Sequence, residues 1–248
     1  MSYKDQSAQF SRDGYAIFEK ALSGPLLDLL RDQCAAFVAR EDARMDTAGV
    51  DSLGLSHRGR RYFANECQRE QPALRTMLFS PLMADVCRAT LGDNAYFFFD
   101  QYVVKGPEQG MAFSWHQDSG YVVGNGGPAN HLPYLTCWCT LDDATVENGT
   151  VRVIPGSHRE GILPHARDAG TRDLGVAVAQ EGVAVEVPAG SIVAFSSLLL
   201  HATGANLSDA SRRVYLAQYS PAPILNADGH LRRNAIALLR EGHQVTFG

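Results

Sequence analysis

No apolar run in this chain approaches the roughly 20 residues that a membrane-spanning helix requires. Basic residues are not in excess either: 22 Lys and Arg stand against 27 Asp and Glu, a formal net charge of −5. A nucleic-acid surface needs the opposite balance, so no nucleic-acid partner is expected. The opening stretch MSYKDQSAQF is polar and lacks the basic-then-apolar layout of a secretory signal. A cytoplasmic location is the expectation, with no membrane association and no obligatory protein partner. Cysteine is scarce and odd in number: Cys34, Cys67, Cys87, Cys137 and Cys139. A disulfide framework is not expected, because 248 residues at 45% apolar composition can bury a core unaided. Cys137 and Cys139 are two apart rather than the three of a CxxC knuckle, and no second pair completes a four-thiolate zinc site. They read as buried strand residues. Internal repeats and low-complexity segments are also missing, and one domain over 1–248 suits the length better than two small ones.

What is present divides the chain in three. Residues 1–92 read as mostly helical. Ser23, Gly24 and Pro25 make a helix start, after which Leu27, Leu30, Cys34 and Phe37 recur at helical spacing. A sharper start lies at Ser80 and Pro81, with Met83, Val86, Cys87 and Leu91 as the apolar stripe and Gly92 as the stop. Between them Arg58, Arg60 and Arg61 form a cluster that reads as a solvated loop in preference to an anion grip. From 93 to 220 the texture is that of strands: Tyr96 to Val104, Met111 to Trp115, Leu135 to Leu141, Val151 to Ile154, Val183 to Val187, Ile192 to Phe195 and Val214 to Tyr219. Gly106-Pro107, Asn148-Gly149, Pro155-Gly156 and Pro188-Ala-Gly190 punctuate them. With no helix of note until about residue 230, this part predicts an antiparallel sandwich or barrel, with the helices packed outside it. Residues 221–248 form a C-terminal extension.

Chemistry enters at Trp115-His116-Gln117-Asp118. Residues two apart on a strand share a face, so His116 and Asp118 converge on one point. An imidazole and a carboxylate are two-thirds of the facial triad that binds non-haem iron(II). A lone His-x-Asp is a weak signal, and two polar residues at a strand end are its bland explanation. Downstream, His131, His158, His165, His201, His230 and His243 are candidate third ligands. His201 stands out, because it follows Ser191-Ile-Val-Ala-Phe195 and Leu198-Leu-Leu200, where a buried ring needs a partner. Eleven residues on comes Arg212. A dicarboxylate cosubstrate needs one end on a metal and the other on a fixed cation, and a guanidinium fork suits that role. Arg213 competes for it, and strand alternation sends the two to opposite faces.

Taken in order, these pieces resemble the phytanoyl-CoA dioxygenase family of 2-oxoglutarate-dependent oxygenases. The resemblance is carried by Trp115-His116-Gln117-Asp118, Trp138-Cys-Thr-Leu141-Asp142, Asn148-Gly149 through Pro155-Gly156-Ser157-His158, and His201-Ala-Thr203-Gly-Ala-Asn206-Leu-Ser208 followed by Arg212. It implies a double-stranded β-helix, a cupin-like jelly roll, mainly β with flanking α. It implies iron(II) on His116, Asp118 and His201, with 2-oxoglutarate and dioxygen as cosubstrates. It puts Arg212 on the distal carboxylate with Thr203 beside it, and Gln101 in the same pocket. His158 reads as part of a turn, and Asn206 and Ser208 as shaping the loop before the cation. Tyr121 and Trp138 are candidate substrate-pocket residues, and Ser119 through Tyr134 a candidate lid. The implied reaction hydroxylates an unactivated C–H bond of a small molecule, such as a specialised metabolite, with release of succinate and carbon dioxide. Desaturation, ring closure or epoxidation would draw on the same oxidant. Related halogenases lack the carboxylate; its presence at Asp118 favours hydroxylation. A cupin-like dioxygenase or isomerase without 2-oxoglutarate, and a non-catalytic barrel module, are the competing readings. Zinc could occupy the same donors.

Overall fold

The computed structural model describes residues 3–107, 112–167, 174–226 and 228–246. Its first third is more mixed than the sequence suggests. Helix α1 (Lys4–Asp13) ends on Gly14, whose left-handed backbone lets the chain turn into strand β1 (Tyr15–Phe18). Helix α2 (Gly24–Ala48) follows an extended Ser23 with Pro25 in its first turn, and buries Leu30, Cys34, Phe37, Glu41 and Met45 along one stripe. Short strands β2 (Ser52–Leu53), β3 (Ser56–His57) and β4 (Arg61–Asn65) come next. Two single-turn helices, α3 (Cys67–Glu70) and α4 (Arg75–Leu78), lead to α5 (Pro81–Thr90). Ser80 caps α5 as expected, its Oγ accepting from Met83 N at 3.2 Å.

Strand β5 (Ala95–Lys105) opens the β-rich region, followed by β6 (Phe113–His116) and a seven-residue helix α6 (Asp118–Gly124). Met111, the expected start of β6, lies outside the described residues. Strands β7 (Leu135–Thr140), β8 (Val151–Val153), β9 (Ala166–Arg167), β10 (Leu174–Gly175) and β11 (Val183–Ala184) continue the run. Only two residues of the expected strand at 183–187 pair as one; Val187 makes an isolated bridge to Ala144. Then come β12 (Ile192–Ser196), β13 (His201–Thr203) and β14 (Arg212–Ser220). Near residue 230, where the sequence suggested a helix, the chain forms a hairpin of β15 (Ile236–Arg240) and β16 (His243–Gln244).

Two antiparallel sheets face each other. The larger runs β1-β12-β7-β14-β5-β4-β3-β2, with β15 joining β5; the smaller runs β11-β8-β13-β6. This is the jelly-roll arrangement, with its sheets facing rather than joined into one closed barrel among the described residues. The helical third therefore does more than cover the sheet: β1 and β4 are members of it. Alternation along each strand assigns two cores. Ala16, Tyr102, Val104, Cys137, Cys139, Tyr215 and Ala217 point outward to the helices, alongside Leu30, Met83 and Cys87. Val103, Trp138, Val193, Phe195 and Val214 point inward between the sheets, against Val151, Val153 and Val185. All five cysteines are free and buried, and burial pushes Cys34 and Cys67 up to about 12, so these thiols stay protonated and inert. No helix among the described residues is long and apolar enough to cross a membrane.

A register shift between β14 and β5, at Gln218 and Tyr219, redirects the aromatic residues of β5. The extra residue, Phe98, lets Phe97 and Phe99 face opposite ways: Phe97 joins the helical core, while Phe99, with the inward parity of Val103, lies with Phe98 in a small separate cluster beside Val122, Tyr134 and Ile224.

Candidate metal centre

His116 ends β6 and sits directly across from His201 on β13, with ring centroids 4.2 Å apart. The strand pairing of β6 stops at His116. Gln117 nevertheless stays extended (φ −115°, ψ 137°), so alternation runs one residue further and brings Asp118 to the same side. Asp118 Oδ1 lies 3.8 Å from His116 Nε2 and 3.6 Å from His201 Nε2. One ligand atom from each of the three falls within 4.8 Å of the others. Gln117, between them, faces away and is wholly buried. It donates to Gly161 O and Leu198 O at 2.8 and 2.7 Å, and accepts from Leu163 N at 2.8 Å. That satisfied amide fixes the turn from strand to helix. Gly120 is required there because a Cβ would collide with the His165 ring, which accepts from Gln117 N at 2.9 Å.

Both imidazoles are oriented by backbone. His116 Nδ1 lies 2.7 Å from Ser114 O, and His201 Nδ1 lies 3.0 Å from Leu199 O. A carbonyl can only accept, so each Nδ1 carries the proton and each Nε2 presents a lone pair to the shared point. Burial, and then the neighbouring His201, push the His116 pKa down, which keeps that ring neutral. Asp118 is held through its other oxygen: Thr136 Oγ1 donates to Oδ2 at 2.5 Å and Gln218 Nε2 at 3.3 Å. Thr136 and Gln218 are cross-strand partners on the inner face. Two neutral nitrogens and one carboxylate oxygen form a donor set suited to iron(II).

A row of cations crosses the inner face at the far end. Arg61, Lys105 and Arg212 are consecutive cross-strand partners on β4, β5 and β14, exposed by 4%, 0% and 1%. Lys105 Nζ donates to Thr203 Oγ1 at 2.7 Å and to Gly204 O. Thr203 is two residues past His201 on β13, about 7 Å along a strand. Arg212 donates through one terminal nitrogen to Gly149 O at 3.0 Å, stacks over Trp138 at 5.2 Å, and leaves Nε without a partner. Gly149 is at φ +77°, and a Cβ there would collide with Gly204 O. Burial lowers Arg212 to about 10. Neither Lys105 nor Arg212 has an ion-pair partner among the described residues. Arg213 faces the other way and forms a two-pronged pair with Asp142 at 2.9 and 2.6 Å.

The remaining expected residues divide. Tyr121, on α6, sets its ring edge-on to His116 at 5.4 Å. Trp138 is buried in the inner core beneath Arg212. Gln101 is on the inner face, with its amide donating to Asn65 at 2.6 Å. His158 packs beside Gly14, and Asn206 donates to the carbonyls of Lys105, Gly106 and Ala210 at 2.8–3.2 Å. Sequence reasoning missed Lys105 altogether and took Arg61 for part of a solvated loop, whereas it is buried. Lys105 shares the parity of the inward Val103, a signal that was available; nothing local marks Arg61.

A jelly roll with this donor set at its mouth and cations inside has the architecture of the non-haem iron oxygenases that consume 2-oxoglutarate. The chain belongs to the phytanoyl-CoA dioxygenase (PhyH) family, whose model matches residues 10–214. The ectoine dioxygenase of Sphingopyxis alaskensis is 30% identical to it over 155 residues, 62% of this chain and 49% of that protein. The L-proline trans-4-hydroxylase of Streptomyces griseoviridis is 25% identical over 265 residues, 97% of this chain and 94% of that one. Among solved structures, EvdO2 from Micromonospora carbonacea var. aurantiaca, complexed with 2-oxoglutarate, matches with a TM-score of 0.70. Its identity is 24%, over 91% of this chain and 94% of that chain, a likeness of fold. The chain spans about half the length of the first curated relatives it matches.

Proposed function

We propose that this chain hydroxylates an unactivated C–H bond of a small molecule, with iron(II) on His116, Asp118 and His201 and 2-oxoglutarate anchored by Arg212, Lys105 and Thr203. One observation carries the reading: a buried guanidinium and lysine amine without carboxylate partners lie one strand repeat from a two-imidazole, one-carboxylate donor set. A keto-diacid is complementary to both ends of that interior at once. Bound iron(II), with dioxygen and the keto acid, supplies a C–H oxidation to the alcohol coupled to release of succinate and carbon dioxide.

The protein's own contribution is geometry. Ser114 and Leu199 carbonyls hold the two rings in the metal-binding tautomer. Thr136 and Gln218 engage Asp118 Oδ2 and leave Oδ1 toward the rings. Arg212 and Lys105 fix the far carboxylate of the cosubstrate before reaction begins, which removes its orientational freedom. Val103, Phe195 and Val214 keep the interior dry. An oxygenase or isomerase that ignored keto acids would leave the buried Lys105 and Arg212 with no task.

The test is anaerobic titration of the chain with iron(II) and 2-oxoglutarate, followed by admission of air. A weak visible charge-transfer band and slow substrate-free succinate formation are expected. Metal binding without either would transfer the chain to the cupin-like class that does not use the keto acid.

A further inference from the structure

Residues of the segment after α6 and of the segment after β14 flank an open basin of about 540 Å³. It is lined by Asn125, Gly126, Asn226, Asp228, Arg232 and Arg233. A second hollow of about 370 Å³ shares Asn226 and is mostly apolar, formed by Pro128, Leu132, Ala222, Pro223, Ile224 and Leu225 among others. Cavities of this size suit a small-molecule ligand.

The basin is tied to the metal centre by short links. Asn125 caps the helix whose first residue is Asp118. Asp118 accepts from Gln218, Gln218 is the cross-strand partner of Phe99, and the Arg233 guanidinium stacks on Phe99 at 4.3 Å. Buried Tyr134 lies in the electrostatic range of Asp118 as well as of Arg232 and Arg233. Phe99, on the inner face of β5, thus underlies the Arg233 guanidinium.

Its charge is not balanced from within. Arg232 is half-buried beside Arg233, donates to Asn226 Oδ1 at 3.4 Å, and makes no ion pair among the described residues. Arg233 pairs with Glu66 at 3.4 Å, but the two side chains are partly exposed (40% and 24%), so that contact is weak and exchangeable. Asp228 supplies one negative charge to the rim and pairs with neither arginine among the described residues. Burial, and then the neighbouring Arg233, push the Arg232 pKa down, and an incoming anion would relieve both.

We propose that this mouth receives the substrate, and that the substrate is a small organic acid whose carboxylate is taken by Arg232 and Arg233 while its apolar body lies in the hollow alongside. The proposal rests on the oxygenase reading, since it names what that centre oxidises. The planar fork of arginine favours a carboxylate over a point-like anion.

The test compares charged and neutral twins. Hexanoate and phenylacetate, with hexanamide and phenylacetamide, are titrated by calorimetry into the full chain loaded with manganese(II) and saturating 2-oxoglutarate, which fills the interior cation site. At least one acid should bind tenfold or more tighter than its amide. The Arg232→Gln/Arg233→Gln double variant should lose tenfold or more of that acid's affinity, whereas Arg88→Gln, on a remote helix, should lose none. If the double variant fails to melt cooperatively, Arg233→Gln alone is read instead, since that side chain is largely on the surface. Equal binding of acid and amide, no binding of either acid, or undiminished acid binding by the variant overturns the proposal. Repeating the titration with Arg212→Gln lacking metal and 2-oxoglutarate separates the two ideas. If 2-oxoglutarate itself never binds, the oxygenase reading fails, while the dependence on Arg232 and Arg233 is still measured.

Discussion

Lys105 and Arg212 stand opposite each other on neighbouring antiparallel strands, both fully buried and both facing inward. Were both charged without a ligand, they would destabilise the sheet. A buried guanidinium and a buried lysine amine with only backbone and hydroxyl oxygens for company are unfavourable for a fold alone, and well matched to a fold that receives a dianion.

Arg212 and Arg213 make a direct contrast. Arg212→Ala should raise the 2-oxoglutarate concentration needed for half-maximal turnover by about 10–100-fold, the scale of a lost charge-assisted hydrogen-bond set. Arg213→Ala removes the pair with Asp142 on the outer face and should leave that requirement nearly unchanged. Steady-state succinate assays decide it, and the reverse order would move the cation role to Arg213.

Lys105 gives a pH signature. Burial, and then Arg212 and Arg61, push its pKa down to about 6, whereas an exposed lysine titrates near 10.4. Between those values the unfolded chain holds the extra proton and the ligand-free folded chain does not. Stability without ligand should therefore rise with pH across that window. Arrival of a dianion favours the ammonium, so 2-oxoglutarate binding at pH 8 should take up close to one proton and weaken as pH rises further. Calorimetry of 2-oxoglutarate in buffers of different ionisation heat reads the uptake directly. An unchanged uptake in Lys105→Met would refute the assignment.

Thr136 supports Asp118 from behind. Thr136→Val keeps shape and removes the donor to Oδ2. Metal affinity should fall by about 10–100-fold, as for other partners of ligating carboxylates, with little change in melting temperature. Manganese(II) titration followed by electron paramagnetic resonance measures it.

For the donor set itself, His201→Ala should abolish iron-dependent turnover and stoichiometric metal binding while the circular dichroism spectrum persists. Full activity in that variant would show that the metal is held elsewhere or not needed.

The legible parts of the chain were those whose signals are local. Leu135–Thr140 and Ile192–Ser196 are runs of β-branched and apolar residues between turn signals, and they pair as strands. His116-x-Asp118 converges because an extended residue separates the two. Strand β1 escaped notice because Tyr15-Ala-Ile-Phe18 is short and gains its partner from Ile192–Phe195, far away in sequence. β4 escaped because Arg61 reads as part of a solvated loop, and only tertiary placement against β5 buries it. Parity along β5 holds from Phe99 to Lys105 but breaks at Phe98, where a bulge that a sequence does not announce puts Phe97 on the outer side.

Strand β1 has a consequence for handling the protein. It covers the hydrogen-bonding flank of Ile192–Ser196, all of whose side chains are buried. A chain clipped after Phe18 would bare a row of unsatisfied amides and carbonyls between two hydrophobic faces, a template on which another molecule could add its own strand. Proteolysis near the amino terminus should thus be followed by self-association well before any loss of the metal centre's own residues.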